Sequence, residues 1–301
     1  MASFGFFILG EKGFFSLSQA IDLLGEGLIS FVVCTTDSGL DDDFFVKIRD
    51  LCSQHQIKFF TRKQYLLDNL NVKADYCFAI GWRWIISNSK NLIVFHDSLL
   101  PKYRGFAPLV NMLINGERHI GVTALIASEE YDKGDIVAQQ SVEISYPIKI
   151  KNAITIISSV YAELLIKTMV SLSNGDVLKQ KAQIEGDSSY SLWRDNDDYL
   201  INWLSDANSI ARFCDAVGTP YKGAASYLNN QLIRILDASP YPDVDVVCRK
   251  DHIGKIVFFD AGLPVVVCGS GLLRLNSICD DDGVIIGNLP FRSKFKGISS
   301  K

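Results

Sequence analysis

Leu92-Ile93-Val94-Phe95-His96-Asp97-Ser98-Leu99-Leu100-Pro101-Lys102-Tyr103-Arg104-Gly105 is the stretch on which the reading of this chain turns. Four apolar residues lead into one of only four histidines. The run is short and mostly β-branched or aromatic, which predicts a buried strand ending at His96. Pro101 and Gly105 then force a loop before the next helical pattern. A polar side chain at the carboxyl end of such a strand lies where open α/β sheets do their chemistry. Asp132, 36 residues beyond His96 within Tyr131-Asp132-Lys133-Gly134-Asp135, is a second polar feature to be placed.

Outward from this stretch, strand-like and helix-like segments alternate. The pattern predicts strands near 3–9, 29–36, 57–61, 76–81, 92–96, 120–127 and 136–144, with helices over 14–24, 41–54, 63–70, 106–115 and 150–174. Such alternation gives a mostly parallel sheet with crossover helices, a Rossmann-like α/β architecture. From about residue 176 the texture changes. A polar stretch, Gln180 to Asp198, leads to one helical pattern at 206–217 and then to short β-rich runs at 231–236, 255–259, 264–268 and 272–278. Short strands parted by Gly, Pro and Asp turns read as a small barrel-like, OB-like domain. The expected division is an α/β domain over 1–190 and a β-rich domain over 191–301.

Charge narrows the partners. Lys and Arg total 30 against 34 Asp and Glu, a net charge of −4, and from residue 191 onward the count is 12 against 13. Nothing here favours a polyanionic partner, so no nucleic acid is expected. Seven cysteines are odd in number and form no CxxC pair. Neither a disulfide framework nor a metal site is expected, and a reducing cytoplasm fits. The apolar amino terminus lacks a basic n-region and is interrupted at Gly10-Glu11-Lys12-Gly13, which argues against a signal peptide. No apolar stretch is read as long enough to span a membrane, and no membrane partner is expected.

At its motifs the chain resembles a known family. His96-x-Ser98-Leu99-Leu100-Pro101-x-Tyr103-Arg104-Gly105, then Asn115-Gly116-Glu117, Gly121-Val122-Thr123 and Tyr131-Asp132-x-Gly134-Asp135, is similar to the N10-formyltetrahydrofolate-dependent formyltransferases, and most to the nucleotide-sugar N-formyltransferases. A weaker similarity continues through Tyr199-Leu200-Ile201-Asn202-Trp203, Ile210-Ala211-Arg212-Phe213 and Thr219-Pro220-Tyr221-Lys222-Gly223-Ala224, which resemble the start of the barrel domain of methionyl-tRNA formyltransferase. The resemblance implies N10-formyltetrahydrofolate as co-substrate and a nucleotide-linked amino sugar, carried on dTDP, as acceptor. It also implies a homodimer and a product that feeds a bacterial surface polysaccharide such as the O-antigen of lipopolysaccharide.

Formyl transfer to an amine needs a neutral nucleophile, a proton acceptor and stabilisation of a tetrahedral oxyanion. An imidazole, titrating near ~6.5 in the absence of perturbation, is available as a base at neutral pH. His96 takes that role in this reading, with Asp132 orienting it or relaying its proton through water. A lone His and a lone Asp are more often a strand-end residue and a turn; the motif around them reverses that weighting. The resemblance assigns the pterin edge to Gly81, Arg83 and Ile85, with Trp82 and Trp84 as stacking or core aromatics and Ser128 and Tyr131 closing the other side. Gly10 and Lys12, in the turn after the first strand, and Ser98, Lys102, Tyr103 and Arg104, after the histidine, are candidates for the substrate diphosphate or nucleotide.

One position departs from the family pattern. Most relatives carry Asn two residues before the histidine, where this chain has Val94, whose side chain neither donates nor accepts a hydrogen bond. Backbone N–H groups with the imidazolium, another polar side chain, or a weakened activity are the alternatives. Asn91 lies three residues before Val94, on the opposite strand face, and is not a substitute. Two other functions compete with the sugar reading. A methionyl-tRNA formyltransferase would want a basic face for phosphates, and a non-catalytic binding module of the same fold would tolerate Val94. A purine-pathway formyltransferase fits less well, because such enzymes usually lack the second domain.

Overall fold

The computed structural model describes residues 2–37, 42–67, 72–86, 91–287 and 289–298. The chain divides into two compact units, Met1–Leu109 with Arg118–Ile144 and Asn152–Leu192, and Val110–Glu117 with Ser145–Lys151 and Trp193–Lys301. Residues 110–117 and 145–151, inside the expected 1–190 domain, thus group with the carboxy-terminal unit.

The first unit runs β1 (Phe4–Ile8), α1 (Gly10–Leu24), β2 (Ile29–Cys34), α2 (Phe45–Gln54), β3 (Phe59–Thr61), α3 (Arg62–Leu67), β4 (Tyr76–Ile80), β5 (Leu92–His96), β6 (Arg104–Gly105), β7 (His119–Ile126), β8 (Ile136–Glu143) and β9 (Tyr190–Ser191). Two helices, α4 (Pro108–Asn115) and α5 (Ile150–Ser173), have residues in both units. The main sheet has the order β3-β2-β1-β4-β5-β7-β8. Pairs from β3 through β5 are parallel, and β7 and β8 are added antiparallel. The mostly parallel, Rossmann-like reading therefore holds. All five residues of β1, Phe-Gly-Phe-Phe-Ile, are buried, the continuous pattern of a strand covered on both faces. Strand order reverses between β1 and β4, the kind of crevice where such sheets bind ligands.

Two expectations shift. Helix α1 begins at Gly10 rather than 14, because Gly10 adopts φ 68° and lets the chain turn directly out of β1. Helix α5, at 24 residues, is long and apolar enough to cross a membrane by length and composition, which corrects the reading that no stretch reaches that length. Glu163 and Lys167 break the apolar run in sequence, yet both lie exposed on a helix whose Ile157, Tyr161, Leu165 and Met169 are buried at four-residue spacing. Residue 41 of the second expected helix and residues 68–70 of the third lie outside the described residues.

The second unit opens with α6 (Ala207–Val217), capped by the Asp206 carboxylate, which accepts the Ser209 N–H at 2.9 Å. Then follow β10 (Ala224–Leu228), β11 (Gln231–Tyr241), α7 (Arg249–His252), β12 (Ile256–Asp260), β13 (Leu263–Val267), β14 (Leu272–Asp280) and β15 (Phe295–Lys296). These strands form an antiparallel sheet ordered β12-β13-β14-β11-β10-β15. Its edges meet: Lys255 bridges Lys294, and the Phe295 N–H donates to the Gly254 carbonyl at 2.7 Å. These contacts join the ends of the sheet at one point, so it curls into a barrel-like form without pairing its edges along their length.

Candidate active site

Strand β5 lies inside the sheet, with β4 on one side and β7 on the other, and His96 is its last residue, paired with Thr123. The imidazole is 8% exposed. Its Nε2 lies 2.7 Å from the Tyr103 carbonyl oxygen, and its Nδ1 lies 3.5 Å from Asp132 Oδ1. A carbonyl oxygen only accepts, so Nε2 carries the proton and a neutral ring keeps its lone pair at Nδ1, on the side of the Asp132 carboxylate. A proton arriving at Nδ1 would find that carboxylate beside it, so the resulting imidazolium would be stabilised at both nitrogens.

Asp132 is held by backbone and by a distant segment. Its Oδ2 accepts the Gly105 N–H at 2.8 Å. The Gln183 side-chain amide donates to the carbonyls of Asp132 at 2.7 Å and Gly134 at 2.8 Å, tying down the loop that returns from β7 to β8. Gly134 is required by packing, since a Cβ there would stand 1.7 Å from the Ile126 carbonyl oxygen.

The turn after His96 corrects part of the sequence reading. Ser98 is fully buried; its hydroxyl donates to the Lys102 carbonyl at 2.7 Å, and its carbonyl accepts the Thr123 hydroxyl at 2.6 Å. Arg104 is 1% exposed, and its guanidinium donates to Gln183 Oε1, Glu185 Oε2 and the Tyr190 hydroxyl. Ser98 and Arg104 are therefore scaffold residues rather than open anion ligands. Tyr103, at φ 59°, acts through its backbone: its carbonyl meets His96 and its N–H donates to Ser189 Oγ at 2.9 Å. Lys102 is exposed and forms no ion pair among the described residues. The Lys12 ammonium, in the first turn of α1, is paired with the Asp97 carboxylate, which also accepts the Tyr161 hydroxyl.

The loops expected to hold a pterin lie after β4 and β7. The Leu9 N–H donates to the Ile80 carbonyl at 3.1 Å, which joins the Gly10 turn to the end of β4. Gly81 has φ 65°, and a Cβ on it would stand 2.8 Å from the Leu9 carbonyl. The Trp82 ring meets Phe7 at 5.6 Å and Trp84 at 5.2 Å, both edge-on, and packs on the core formed by Phe7, Phe31 and Val33. Trp84 instead lies under the Arg62 guanidinium, 5.1 Å from its ring centre. Arg83 pairs with Asp37 at 2.8 Å, while Ile85 and Tyr131 are 74% and 65% exposed. Ser128 donates to the Glu130 carbonyl at 2.7 Å. The contacts separate the two tryptophans. Trp82→Phe is expected to lower Tm with little change in folate KM, and Trp84→Ala to raise folate KM with little change in Tm. Equal thermal loss and unchanged folate kinetics would make both structural.

Val94 shares the His96 face of β5 and packs against Leu100, Leu125 and Ile136, an apolar wall beside the base. Asn91 precedes the strand and donates from Nδ2 to the Asp75 carbonyl at 3.0 Å, so it anchors the start of the strand. Burial pushes the thiols of Cys34, Cys52 and Cys268 up to about 12.

Sequence reasoning missed Asp97, Tyr161, Gln183 and Glu185. Tyr161 is one residue of a long apolar helix, and Gln183 and Glu185 fall in a polar stretch without strand or helix periodicity. Asp97 alone gave a signal, as a carboxylate adjoining the histidine.

Comparison with known proteins bears on the whole arrangement. The Formyl transferase family matches residues 53–155, and the Formyl transferase, C-terminal domain family matches residues 194–287. The bifunctional polymyxin resistance protein ArnA of Wigglesworthia glossinidia brevipalpis is 33% identical over 251 residues, 76% of this chain and 36% of that protein. The chain thus spans about a third of that relative's length. Among solved structures, WlaRD, a sugar 3N-formyl transferase crystallised with dTDP and 5-N-formyl-THF, superposes with TM-score 0.68 at 20% identity, covering 92% of this chain and 98% of its own. An N-formyltransferase from Helicobacter canadensis, in complex with folinic acid and dTDP-3-aminofucose, gives 0.67 at 18% identity, covering 91% and 99%. These two share the fold. With both formyl transferase domains matched in order, and together covering more than half of its residues, the chain belongs to the formyl transferase family.

Proposed function

We propose that this protein transfers the formyl group of N10-formyltetrahydrofolate to the amino group of a nucleotide-linked amino-dideoxy sugar, with dTDP as the carrier. The acceptor nitrogen bonds to the formyl carbon, the bond from that carbon to N10 breaks, and N10 leaves with the electron pair and takes up a proton. His96 Nδ1 receives the amine proton, and Asp132 stabilises the imidazolium until the proton is passed on. The observation that carries this reading is the seating of the His96 ring between the Tyr103 carbonyl at Nε2 and the Asp132 carboxylate at Nδ1. The oxyanion would be met by backbone donors and the imidazolium, because Val94 offers none. Trp84, Arg83 and the exposed Ile85 and Tyr131 would meet the folate, and Lys102 the diphosphate.

The dTDP acceptor is supported by what the two solved neighbours were crystallised with, and the balanced charge of residues 191–301 disfavours tRNA. A homodimer, a cytoplasmic location and a role in O-antigen assembly belong to the same proposal. Val94 favours one second reading, a binder of the same ligands without turnover.

A panel of dTDP-3-amino, dTDP-4-amino and UDP-4-amino sugars and charged initiator tRNA, each with N10-formyltetrahydrofolate, separates these. Formylated dTDP-sugar by mass spectrometry is the expected result. Formylation of tRNA alone would overturn the acceptor class. Calorimetric binding of sugar nucleotide and folate with no product over hours would favour the binder.

A further inference from the structure

His96 has a second carboxylate beside it that the proposed reaction does not use. Asp97 follows it in sequence, and its side chain is 13% exposed and engages Lys12 from α1 and Tyr161 from α5. Tyr161 is fixed from a further side, with its hydroxyl 3.3 Å from the Phe95 carbonyl and its ring 6.2 Å from that of Phe95. Burial, and then the nearby carboxylates, push the Tyr161 hydroxyl up well beyond its ordinary value, so it remains a neutral donor. Burial alone would push the Asp97 carboxyl up as well, but Lys12 foremost, then Tyr161 and His96, hold it below its ordinary value. Asp97 is therefore ionised at neutral pH, and it directly follows His96 at the end of β5.

Other charged groups come from the elements next to the histidine. From the β7–β8 loop come Asp132, which faces Nδ1, and Lys133, paired with Glu130. From the turn come Arg104, paired with Glu185, and Lys102, exposed and without an ion pair among the described residues. From α1, Glu11 accepts the Thr155 hydroxyl. Two carboxylates beside one imidazole would hold it protonated and spoil a base, since each opposite charge favours the ionised ring. Lys12 removes one of them electrostatically.

We propose that Lys12, Asp97 and Tyr161 form a charge-compensated positioning cluster behind His96, in which Lys12 cancels the field of Asp97 so that, among the described residues, Asp132 is left as the uncompensated carboxylate the imidazole senses. Asp97 fixes the strand end through Tyr161, and Lys12 keeps that anchor from changing the basicity of the ring. The catalytic meaning of the cluster rests on the proposed role of His96, whereas its electrostatics do not.

The test is a pH titration of the His96 ring resonances by NMR in the unliganded full chain, with the pH profile of kcat/KM alongside. Asp97→Asn leaves Lys12 as an unbalanced cation, which disfavours imidazolium, so the His96 midpoint should fall by at least about half a pH unit relative to wild type. Adding Lys12→Gln to Asp97→Asn restores neutrality, and the midpoint should return toward wild type. The acid limb of the profile should move with it. A purely structural pair predicts no return in the double variant. An unchanged or raised midpoint in Asp97→Asn, or a lowered midpoint that the double variant fails to reverse, overturns the proposal. Asp97→Ser repeats the charge removal should Asp97→Asn not fold. Ring midpoints that behave as expected in a protein that formylates nothing would uphold the cluster and reject the proposed activity.

Discussion

His96→Asn lowers kcat for formyl transfer by at least ~10²-fold, the scale of losing a positioned general base. The asparagine amide still offers a donor toward the Tyr103 carbonyl, so Tm should stay close to wild type. What it lacks is a lone pair on nitrogen beside Asp132. Single-turnover rates with saturating folate and acceptor, read by mass spectrometry, measure the chemical step directly. Wild-type turnover would remove His96 from the mechanism. Asp132→Asn tests the other half of the pair: it keeps an oxygen for the Gly105 N–H but no charge for the imidazolium, and turnover should fall with folate KM little changed.

Gly134→Ala is the second large effect, and it acts on both stability and rate. The new Cβ would stand 1.7 Å from the Ile126 oxygen and 2.9 Å from the Ile126 carbonyl carbon, both backbone atoms that no rotamer can move aside. The loop must shift bodily. Overpacking against backbone costs about 3 kcal/mol, which is large against the net stability of a domain. Because Gln183 ties Gly134 and Asp132 together, the shift should also displace the carboxylate from His96. A lowered Tm together with a lowered kcat in the variant that remains folded is the expected pair of results. A wild-type melting curve would mean the loop is looser than this packing allows.

The residues of the candidate site were legible in sequence to very different degrees. The strand ending at His96 was plain, because an apolar run stopped by a polar residue, Pro and Gly leaves little choice. The antiparallel addition of β7 and β8 was not, since pairing sense depends on partners and leaves no mark on a single strand. Strand β10, Ala-Ala-Ser-Tyr-Leu, escaped because it has no β-branched residue to signal it. Arg104 shows the limit of motif reading. Its place a few residues after His96 suggested a phosphate ligand, but a guanidinium at 1% exposure is defined by what surrounds it, and those partners lie about 80 residues downstream. Lys12 read as a free cation because Asp97, 85 positions away, is invisible to any local window.

The polar stretch after residue 176 shows in the sequence only as a change of texture, and part of it holds the site in shape. Gln183 carries the Asp132 loop, Glu185 and Tyr190 anchor Arg104, and β9 pairs with β6 in the turn after His96. The α/β half is therefore not modular at the point where composition changes. A gene fusion or natural recombination joined near residue 176 would inherit His96 and Asp132 and still lose the relation between them. Joined beyond residue 192, it would carry the strap along. In this chain, exchange of the carboxy-terminal domain is constrained by the strap, whose own contacts are all with protein.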